Sequence, residues 1–355
     1  MTMMAEMTGL VFGGVDTHAE VHVAAVVDQV GRVLGSESFP VTAGGYAAAL
    51  AWMRGHGELA RVGVEGTGSY GAGLARYLAT AGMQVAEVTR PDRQRRRRHG
   101  KSDPVDAVSA ALTALKGEDC GTPKSGTGPA ESIRALRSVR SGAVKARTQA
   151  GNQLRALVIA APAGLRAQLQ SLATAARVRI AAAFTCGDHA DPAEGVKAAM
   201  ASVARRWQDL DAEITALDAA LGMLVSQVAP PGFLDLPGVG TQTASALITM
   251  IGDNPGRIGT EAGFAALCGV SPVDCSSGKH ERHRLNRGGD RQANSALWRI
   301  VTNRIQYDPR TQAYVAKRTA QGKTRKEITR CLKRYVAREI YGKLIRSATG
   351  QLPGR

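Results

Sequence analysis

Aromatic residues are scarce in this sequence, at 4% of 355 residues, and the cysteines are few and scattered. The five cysteines are Cys120, Cys186, Cys268, Cys275 and Cys331. Since none forms a CxxC pair, neither a disulfide framework nor a cysteine zinc site is expected. No apolar run approaches the ~18 residues of a membrane span, and Met1–Thr8 lacks the cationic head of a signal peptide. We therefore expect a soluble protein in a reducing cytoplasm, with no membrane partner.

Acidic residues are also in deficit, and this imbalance is informative. The chain has 46 Lys and Arg against 30 Asp and Glu, a net charge of +16. Such a charge favours a polyanionic partner, which phosphate contacts and counterion release would hold. The alternative is general basicity without a nucleic acid. A hydrophobic content of 44% over 355 residues is sufficient for two or three domains with their own cores.

The first hundred residues have an alternating pattern that predicts a mixed α/β fold. The predicted strands are Val11–His18, Val21–Asp28, Arg32–Pro40, Arg61–Gly66 and Met83–Val88, and the predicted helices between them are Thr42–His56 and Tyr70–Ala81. The order β-β-β-α-β-α-β-α is that of ribonuclease-H-like domains. In that fold the first and fourth strands are neighbours. By analogy with it, we expect the first and fourth predicted strands to lie side by side.

Four carboxylates occupy positions that suit a metal site. Asp16 lies near the end of the first predicted strand and Glu65 near the end of the fourth, while Asp103 and Asp106 are at helical spacing. Oxygen ligands of this kind favour Mg²⁺ or Mn²⁺, which also binds substrate phosphates. For the last pair an alternative remains open, because Asp103 before Pro104 is also an ordinary helix start, with Asp103 as the N-cap and Asp106 favoured by the helix dipole.

A strongly basic segment, Arg90–Lys101, immediately precedes the second acidic pair. We interpret it as a loop that clamps phosphates, rather than as a solvated run of charge. The residues predicted to contact nucleic acid here are Arg93, Arg95, Arg96, Arg97, Arg98 and Lys101.

The middle of the chain is predicted to be helical. Gly121–Gly128 reads as a linker, and Glu131–Leu157 as a helix rich in Arg and Ala. From Val196 to Val228, apolar residues recur at alternating steps of three and four, which is a heptad seam. That seam is compatible with an internal antiparallel hairpin and with an oligomerisation arm.

The last third combines a glycine-rich turn, a serine pair and many cations. Asp235–Leu247 has the form of a helix-hairpin-helix turn, in which Gly238 and Gly240 would let backbone amides approach phosphate; a simple αα turn is the alternative. Ser277 precedes Gly278, a step that is also common in ordinary turns. Lys317–Arg346 reads as a helix with a cationic face. Further predicted nucleic-acid contacts are Lys279, Arg282, Arg284, Arg287 and Arg291.

Five motifs in this order resemble the insertion-sequence 110 family of transposases. They are GVDTH, VGVEGTGSYG, RPDRQRRRRHGKSDPVDA, LPGVGTQTASALITMIGD and the segment GVSPVDCSSGKHERHRLNRGGDRQANSALWRI. The resemblance implies an N-terminal RuvC-like domain with a ribonuclease H fold over residues 1–125. It also implies a long helical coiled-coil hairpin over 126–230, and a mainly helical transposase domain over 231–355 with the helix-hairpin-helix-like turn.

The resemblance also implies a mechanism. In this family the acids of a D-E-D-D site, here Asp16, Glu65, Asp103 and Asp106, hold the divalent metal, and a serine forms a covalent link to DNA. The motif places that serine at Ser277, with Ser276 adjacent. A structured noncoding bridge RNA pairs with double-stranded target and donor DNA, and the protein assembles as a homo-oligomer, a dimer or tetramer. Family members often have Gly-Asn where this chain has Gly289-Asp290. The resemblance therefore does not predict the DNA contacts at this step.

Two other functions remain as alternatives. One is a metal-dependent endonuclease of the Holliday-junction type, in which Ser277 is only a turn residue. The other is a non-catalytic DNA- or RNA-binding protein. The series of five motifs favours the recombinase, and the presence of all four acids together with Ser277 argues against the non-catalytic alternative.

Overall fold

The computed structural model describes residues 9–88, 102–118, 120–278, 283–284, 286 and 288–346. The chain divides into two compact units. The first comprises Met1–Gly128 with Ile251–Thr260, and the second Pro129–Met250 with Glu261–Arg355. No helix in the described ranges has the length and apolar character needed to cross a membrane.

A mixed six-stranded sheet forms the centre of the first unit. Its strands are β1 Leu10–Thr17, β2 Val21–Asp28, β3 Val33–Pro40, β4 Glu58–Glu65, β5 Val85–Val88 and β6 Cys120–Gly121. The order across the sheet is β3-β2-β1-β4-β5-β6. Strands β1, β4 and β5 are parallel, and the other pairings are antiparallel. The prediction that the first and fourth strands are neighbours is confirmed, because β1 pairs directly with β4.

Helices cover both faces of this sheet. They are α1 Ala43–Arg54, α2 Ala72–Thr80 and α3 Asp103–Lys116. The face toward α1 and α2 has an aliphatic core that includes Val15, Val64 and Met53. The opposite face packs Val23 and Ala25 of β2 against Ala107 and other small residues of α3. Strands β1 and β2 therefore alternate between two cores, as strands buried on both faces do.

Two glycines allow α3 to lie very close to the sheet. Gly14 of β1 is opposite Gly63 of β4 in the parallel ladder. A Cβ atom on Gly14 would overlap backbone atoms of Ala107 and Ala111, and one on Gly63 would overlap the carbonyl oxygen of Ala110. The helix backbone thus rests directly on the strand backbones, which sets the position of the α3 N-terminus.

The end of this unit departs from the predicted pattern. The segment predicted as a linker, Gly121–Gly128, contributes Gly121 to the two-residue strand β6, which was not predicted. Its remainder is held by hydrogen bonds, because the Ser125 amide donates to Asn254 Oδ1 (3.1 Å) and the Gly128 amide to Asp253 Oδ2 (3.0 Å). Partners more than a hundred residues away in the chain explain why local composition did not predict this order.

Two long helices and two short ones form the start of the second unit. They are α4 Pro129–Ala160, α5 Ala163–Leu169, α6 Thr174–Ala182 and α7 Pro192–Val228. The polar pairs between α4 and α7 are Arg140 with Asp218, Arg147 with Asp211, and Gln153 with Arg206. As the residue number rises along α4 it falls along α7, so the two helices are antiparallel. The predicted heptad seam therefore packs within the chain, with Met200, Ile214 and Leu221 buried.

The rest of the second unit is helical apart from a small ribbon. Its elements are α8 Thr241–Ile251, α9 Glu261–Leu267, β7 Val273–Asp274, β8 His283–Arg284, α10 Arg291–Tyr307, α11 Pro309–Ala320 and α12 Arg325–Tyr341. The predicted single helix over Lys317–Arg346 is wrong in its continuity. It is broken at Gly322, where φ is +78°, and α12 starts anew with a capping box between Thr324 and Glu327.

The predicted fold class is confirmed in its broad form. The N-terminal region is mixed α/β, and the described remainder is mostly helical.

Candidate metal centre and C-terminal serine

Two of the predicted acids lie at the same edge of the sheet. In the parallel pairing of β1 and β4, Val15 is opposite Val64, so Asp16 and Glu65 are the next residues on the two strands. The Thr17 hydroxyl donates to the Glu65 carbonyl oxygen at 2.9 Å and joins the strand ends. Because Gly14 and Gly63 face α3, strand alternation places Asp16 and Glu65 on the α3 face as well.

Helix α3 brings the other two acids to this edge. Asp103 and Asp106 both lie in its first turn. The alternative that made Asp103 the N-cap is wrong, since Ser102 occupies that position and its side chain forms no capping hydrogen bond. Asp103 is exposed, whereas Asp106 is buried at 4% exposure. The two acids of this first turn therefore differ in environment, since one is exposed and the other is buried.

The closest group of possible ligand atoms includes a histidine that the sequence interpretation did not assign. His18 Nε2 lies 3.2 Å from Asp16 Oδ2 and 3.4 Å from Asp103 Oδ1. Ligand atoms of all three residues lie within 4.8 Å of one another. Within the described ranges, Glu65 and Asp106 are not members of this close group. His18 could have been found from its spacing. Residues two apart, such as Asp16 and His18, lie on the same side of an extended chain.

The electrostatics of the cluster favour a bound cation. Burial raises the pKa of Asp16; His18 opposes that rise, and the charges of Asp106 and Asp103 add to it. Several carboxylates thus share a partly desolvated volume, where a divalent cation would offset their repulsion. Carboxylate oxygens suit Mg²⁺ or Mn²⁺, and one imidazole is compatible with such a set. The residues present therefore fit the divalent metal that the sequence predicted.

The serine pair lies in the segment that joins β7 to β8. The Ser276 amide and hydroxyl both donate to Asp274 Oδ1, and these hydrogen bonds hold the pKa of Asp274 below its usual value. Ser277 is exposed and precedes Gly278, which has a φ of +57°. The Ser276 hydroxyl thus has a hydrogen-bond partner in Asp274, and both serines are exposed.

The predicted nucleic-acid contacts are distributed over several elements. Arg284 is exposed on β8, and Arg291 is exposed as the first residue of α10. A Cβ on Gly238, whose φ is +79°, would lie 2.9 Å from the Ile300 carbonyl oxygen, so this glycine allows the turn to pack on α10. The Gly240 amide donates to Thr243 Oγ1 at 3.0 Å.

The remaining predicted contacts fall outside the described residues. They are Arg93, Arg95, Arg96, Arg97, Arg98, Lys101, Lys279, Arg282 and Arg287.

Comparison with known proteins identifies the family. Residues 13–161 match the model of the DEDD transposases of IS110 elements, described as "Transposase". Residues 233–316 match the model described as "Transposase IS116/IS110/IS902 family". The chain belongs to the IS110 family of transposases. The two matched regions of this IS110-family chain contain the acidic cluster and the serine segment, respectively.

A curated relative supports the same family. The chain is 32% identical over 127 residues to a protein of insertion element IS110 from Streptomyces coelicolor, described as an uncharacterized 43.6 kDa protein. The similar region covers 35% of this chain and 29% of that relative. The chain thus matches less than a third of the relative's length.

Proposed function

We propose that this protein is a DNA recombinase of an insertion sequence, which cleaves and exchanges DNA strands under the guidance of a structured noncoding RNA. The observation that carries the proposal is the cluster of Asp16, His18 and Asp103 at the edge shared by β1 and β4. Metal-binding carboxylates on adjacent strand ends are suited to phosphodiester chemistry. Membership in a transposase family supports DNA as the substrate.

The first unit is assigned to the ribonuclease H/RuvC-like fold. Three antiparallel strands followed by parallel β4 and β5, in the order β3-β2-β1-β4-β5, support this assignment. In the proposed site, Asp16, Glu65, Asp103 and Asp106 would hold the metal, Mg²⁺ or Mn²⁺. A bound metal would supply polarisation of the phosphate and stabilisation of charge on the leaving oxygen.

The proposed role of Ser277 is covalent. Its hydroxyl gives up a proton to solvent, and its Oγ forms a bond to the scissile phosphorus while one P–O bond to deoxyribose breaks and leaves a DNA hydroxyl. A hydroxyl from the exchanged strand then attacks phosphorus, and Ser277 leaves with a proton restored. Since each step replaces one phosphoester bond by another, rejoining needs no ATP.

The partners follow from the same proposal. Double-stranded target and donor DNA are selected by pairing with the bridge RNA, so the protein reads mainly backbone and shape. The Gly238–Gly240 turn serves as a helix-hairpin-helix phosphate contact, and the α4–α7 pair acts as a coiled-coil arm in a homo-oligomeric dimer or tetramer. The assembly works in the cytoplasm on the nucleoid. A net charge of +16 and few aromatic residues support a backbone-reading protein.

A matched pair of serine variants tests the covalent step. The full chain is incubated with Mg²⁺, donor and target DNA, and RNA transcribed from the DNA beside its reading frame. We expect Ser277→Ala to form no denaturation-resistant protein–DNA adduct and no recombinant, and Ser276→Ala to retain both. Full cleavage by Ser277→Ala without an adduct would replace the proposal by the metal-dependent, junction-type endonuclease. Metal-independent cleavage by the unaltered protein would refute the role of the acids.

A further inference from the structure

The second unit contains a cavity of about 380 Å³ at the base of the β7–β8 ribbon. Its wall includes Pro272, Arg284 of β8, and Arg330, Lys333 and Tyr335 of α12. This volume is in the range of sites for small ligands. The cavity shares no lining residue with the acidic cluster, and no step of the proposed chemistry uses it.

One wall residue indicates an anionic ligand. Lys333 is only 8% exposed, and its Nζ donates to Asn294 Oδ1 at 2.9 Å. In the described part of the chain, no carboxylate forms an ion pair with it. By contrast, Arg334 on the same wall is paired with Glu261. Burial and the nearby charge of Arg330 both lower the pKa of Lys333. A buried ammonium without a counter-ion is unfavourable, so an anion at this position would stabilise it.

A second wall residue indicates a flat, aromatic ligand. Tyr335 is 53% exposed in a chain with only 4% aromatic residues. Its ring lies edge-on to Tyr314, with 5.7 Å between centroids, so a neighbouring side chain supports its orientation. An exposed ring beside cationic side chains is the arrangement on which nucleobases stack.

We propose that this cavity holds one unstacked nucleotide of the DNA substrate, with its phosphate on Lys333 and Arg330 and its base against Tyr335. DNA is favoured over RNA because the ribbon that forms the wall also carries Ser277, so the choice of DNA rests on the proposed function. Enzymes that modify a base take its nucleotide out of the stack and bind it in a pocket, and the proposed cavity would hold an unstacked nucleotide in a similar way.

Photo-crosslinking tests the proposal in the full-length protein without metal. The probe is a single-stranded thymidine oligonucleotide of about six residues that contains one 5-iododeoxyuridine. We expect the crosslink to map to the peptide that contains Tyr335. Tyr335→Ala should reduce binding of the probe about tenfold or more, since one stacked base is lost, while Tyr335→Phe should retain it.

Lys333→Gln separates ligand binding from folding. Glutamine keeps a donor for Asn294 but removes the buried charge, so the melting temperature should stay equal or rise while probe affinity falls. Arg325→Ala, an exposed cation on the same helix outside the cavity wall, is the control and should bind as the unaltered protein does. Crosslinks only elsewhere, or unchanged binding by Tyr335→Ala, would overturn the cavity assignment.

The nature of the nucleic acid is decided by the same probe made as RNA. Tighter, Tyr335-dependent binding of RNA would overturn the choice of DNA. The Ser277→Ala protein should still crosslink, because binding does not require the nucleophile. A failure of the covalent chemistry is therefore distinguishable from a failure of the cavity.

Discussion

At the scale of single residues, Asp16 is a carboxylate held in a partly desolvated site. It is 7% exposed, and the charges of Asp106 and Asp103 act on it together with burial. In the metal-free protein its ionised form is therefore unfavourable. Such residues often mark functional sites, because a bound ligand supplies the opposite charge that the protein itself does not.

We predict that Asp16→Asn raises the melting temperature of the metal-free protein and removes the rise produced by Mg²⁺. The pKa of Asp16 is higher in the folded protein than in the unfolded chain. Its contribution to the free energy of unfolding is therefore fully present at a pH below the unfolded-state pKa, and it is lost as the pH rises through the folded-state pKa. The gain from Asp16→Asn should therefore be larger at pH 7 than at pH 4. Thermal unfolding with EDTA and with Mg²⁺ at both pH values measures this. A variant less stable than the unaltered protein at pH 7 in EDTA would contradict it.

From the sequence, Asp16 and Glu65 could be assigned to one edge of the sheet, whereas their neighbours in the fold could not be predicted. The strand ends are visible in the sequence, and the pairing of the first and fourth strands followed from an analogy between folds. His18 was missed, since it lies just beyond β1 and its approach to Asp103 depends on the packing of α3. The different environments of Ser276 and Ser277 depend on the position of Asp274 in the folded turn.

At the scale of elements, the contact between α3 and the sheet sets the distance between the acids of the candidate metal centre. Gly14 and Gly63 remove side chains from the contact, and the alanines of α3 occupy the space. A helix held at backbone distance has little freedom to shift along the strands, because interiors are close-packed.

We predict that Gly14→Ala destabilises the first unit by about 1–3 kcal/mol or more, the usual cost of overpacking a core, and weakens the Mg²⁺-dependent rise in melting temperature. The added Cβ would push α3, and with it Asp103, away from Asp16. Gly44→Ala is the control in the same unit, since Gly44 is exposed on α1 and its Cβ would meet no backbone atom. Equal stabilities of the two variants in chemical denaturation would refute this account.

Elements with long, regular patterns were predicted from sequence, and short ones were not. Strands β1 to β5 and helices α1, α2, α4 and α7 follow apolar periodicity. Helices α5 and α6 are short and belong to an alanine-rich stretch, in which the contrast between faces is weak. The hairpin interpretation of the heptad seam depended on partners in α4, and the polar pairs between α4 and α7 are only visible in the fold.

At the scale of the whole molecule, the excess of cations is the dominant property. A net charge of +16 produces a field that attracts nucleic acid before any specific contact forms. Fold class followed from sequence, since the α/β start and the helical remainder differ in pattern. The two-unit division did not, because Ile251–Thr260 returns to the first unit through hydrogen bonds that sequence does not reveal.

We predict that affinity for duplex DNA falls steeply with salt, by about a thousandfold between 50 and 200 mM if about six phosphates are contacted. Replacing the four arginines Arg95 to Arg98 by glutamine should make the slope of log affinity against log salt shallower by about three to four. Replacing Arg166, Arg179, Arg205 and Arg310 provides a control with the same loss of charge. Equal slopes for both variants would contradict the clamp interpretation of Arg90–Lys101.

The backbone contact of α3 with β1 and β4 has one more consequence, for how this site can vary between relatives. The place of Asp103 is fixed by what lies beneath the helix rather than by the chain that leads into it. We therefore expect relatives to vary in sequence and length between β5 and α3, and to keep small residues at the positions of Gly14 and Gly63, where the helix rests on the strands.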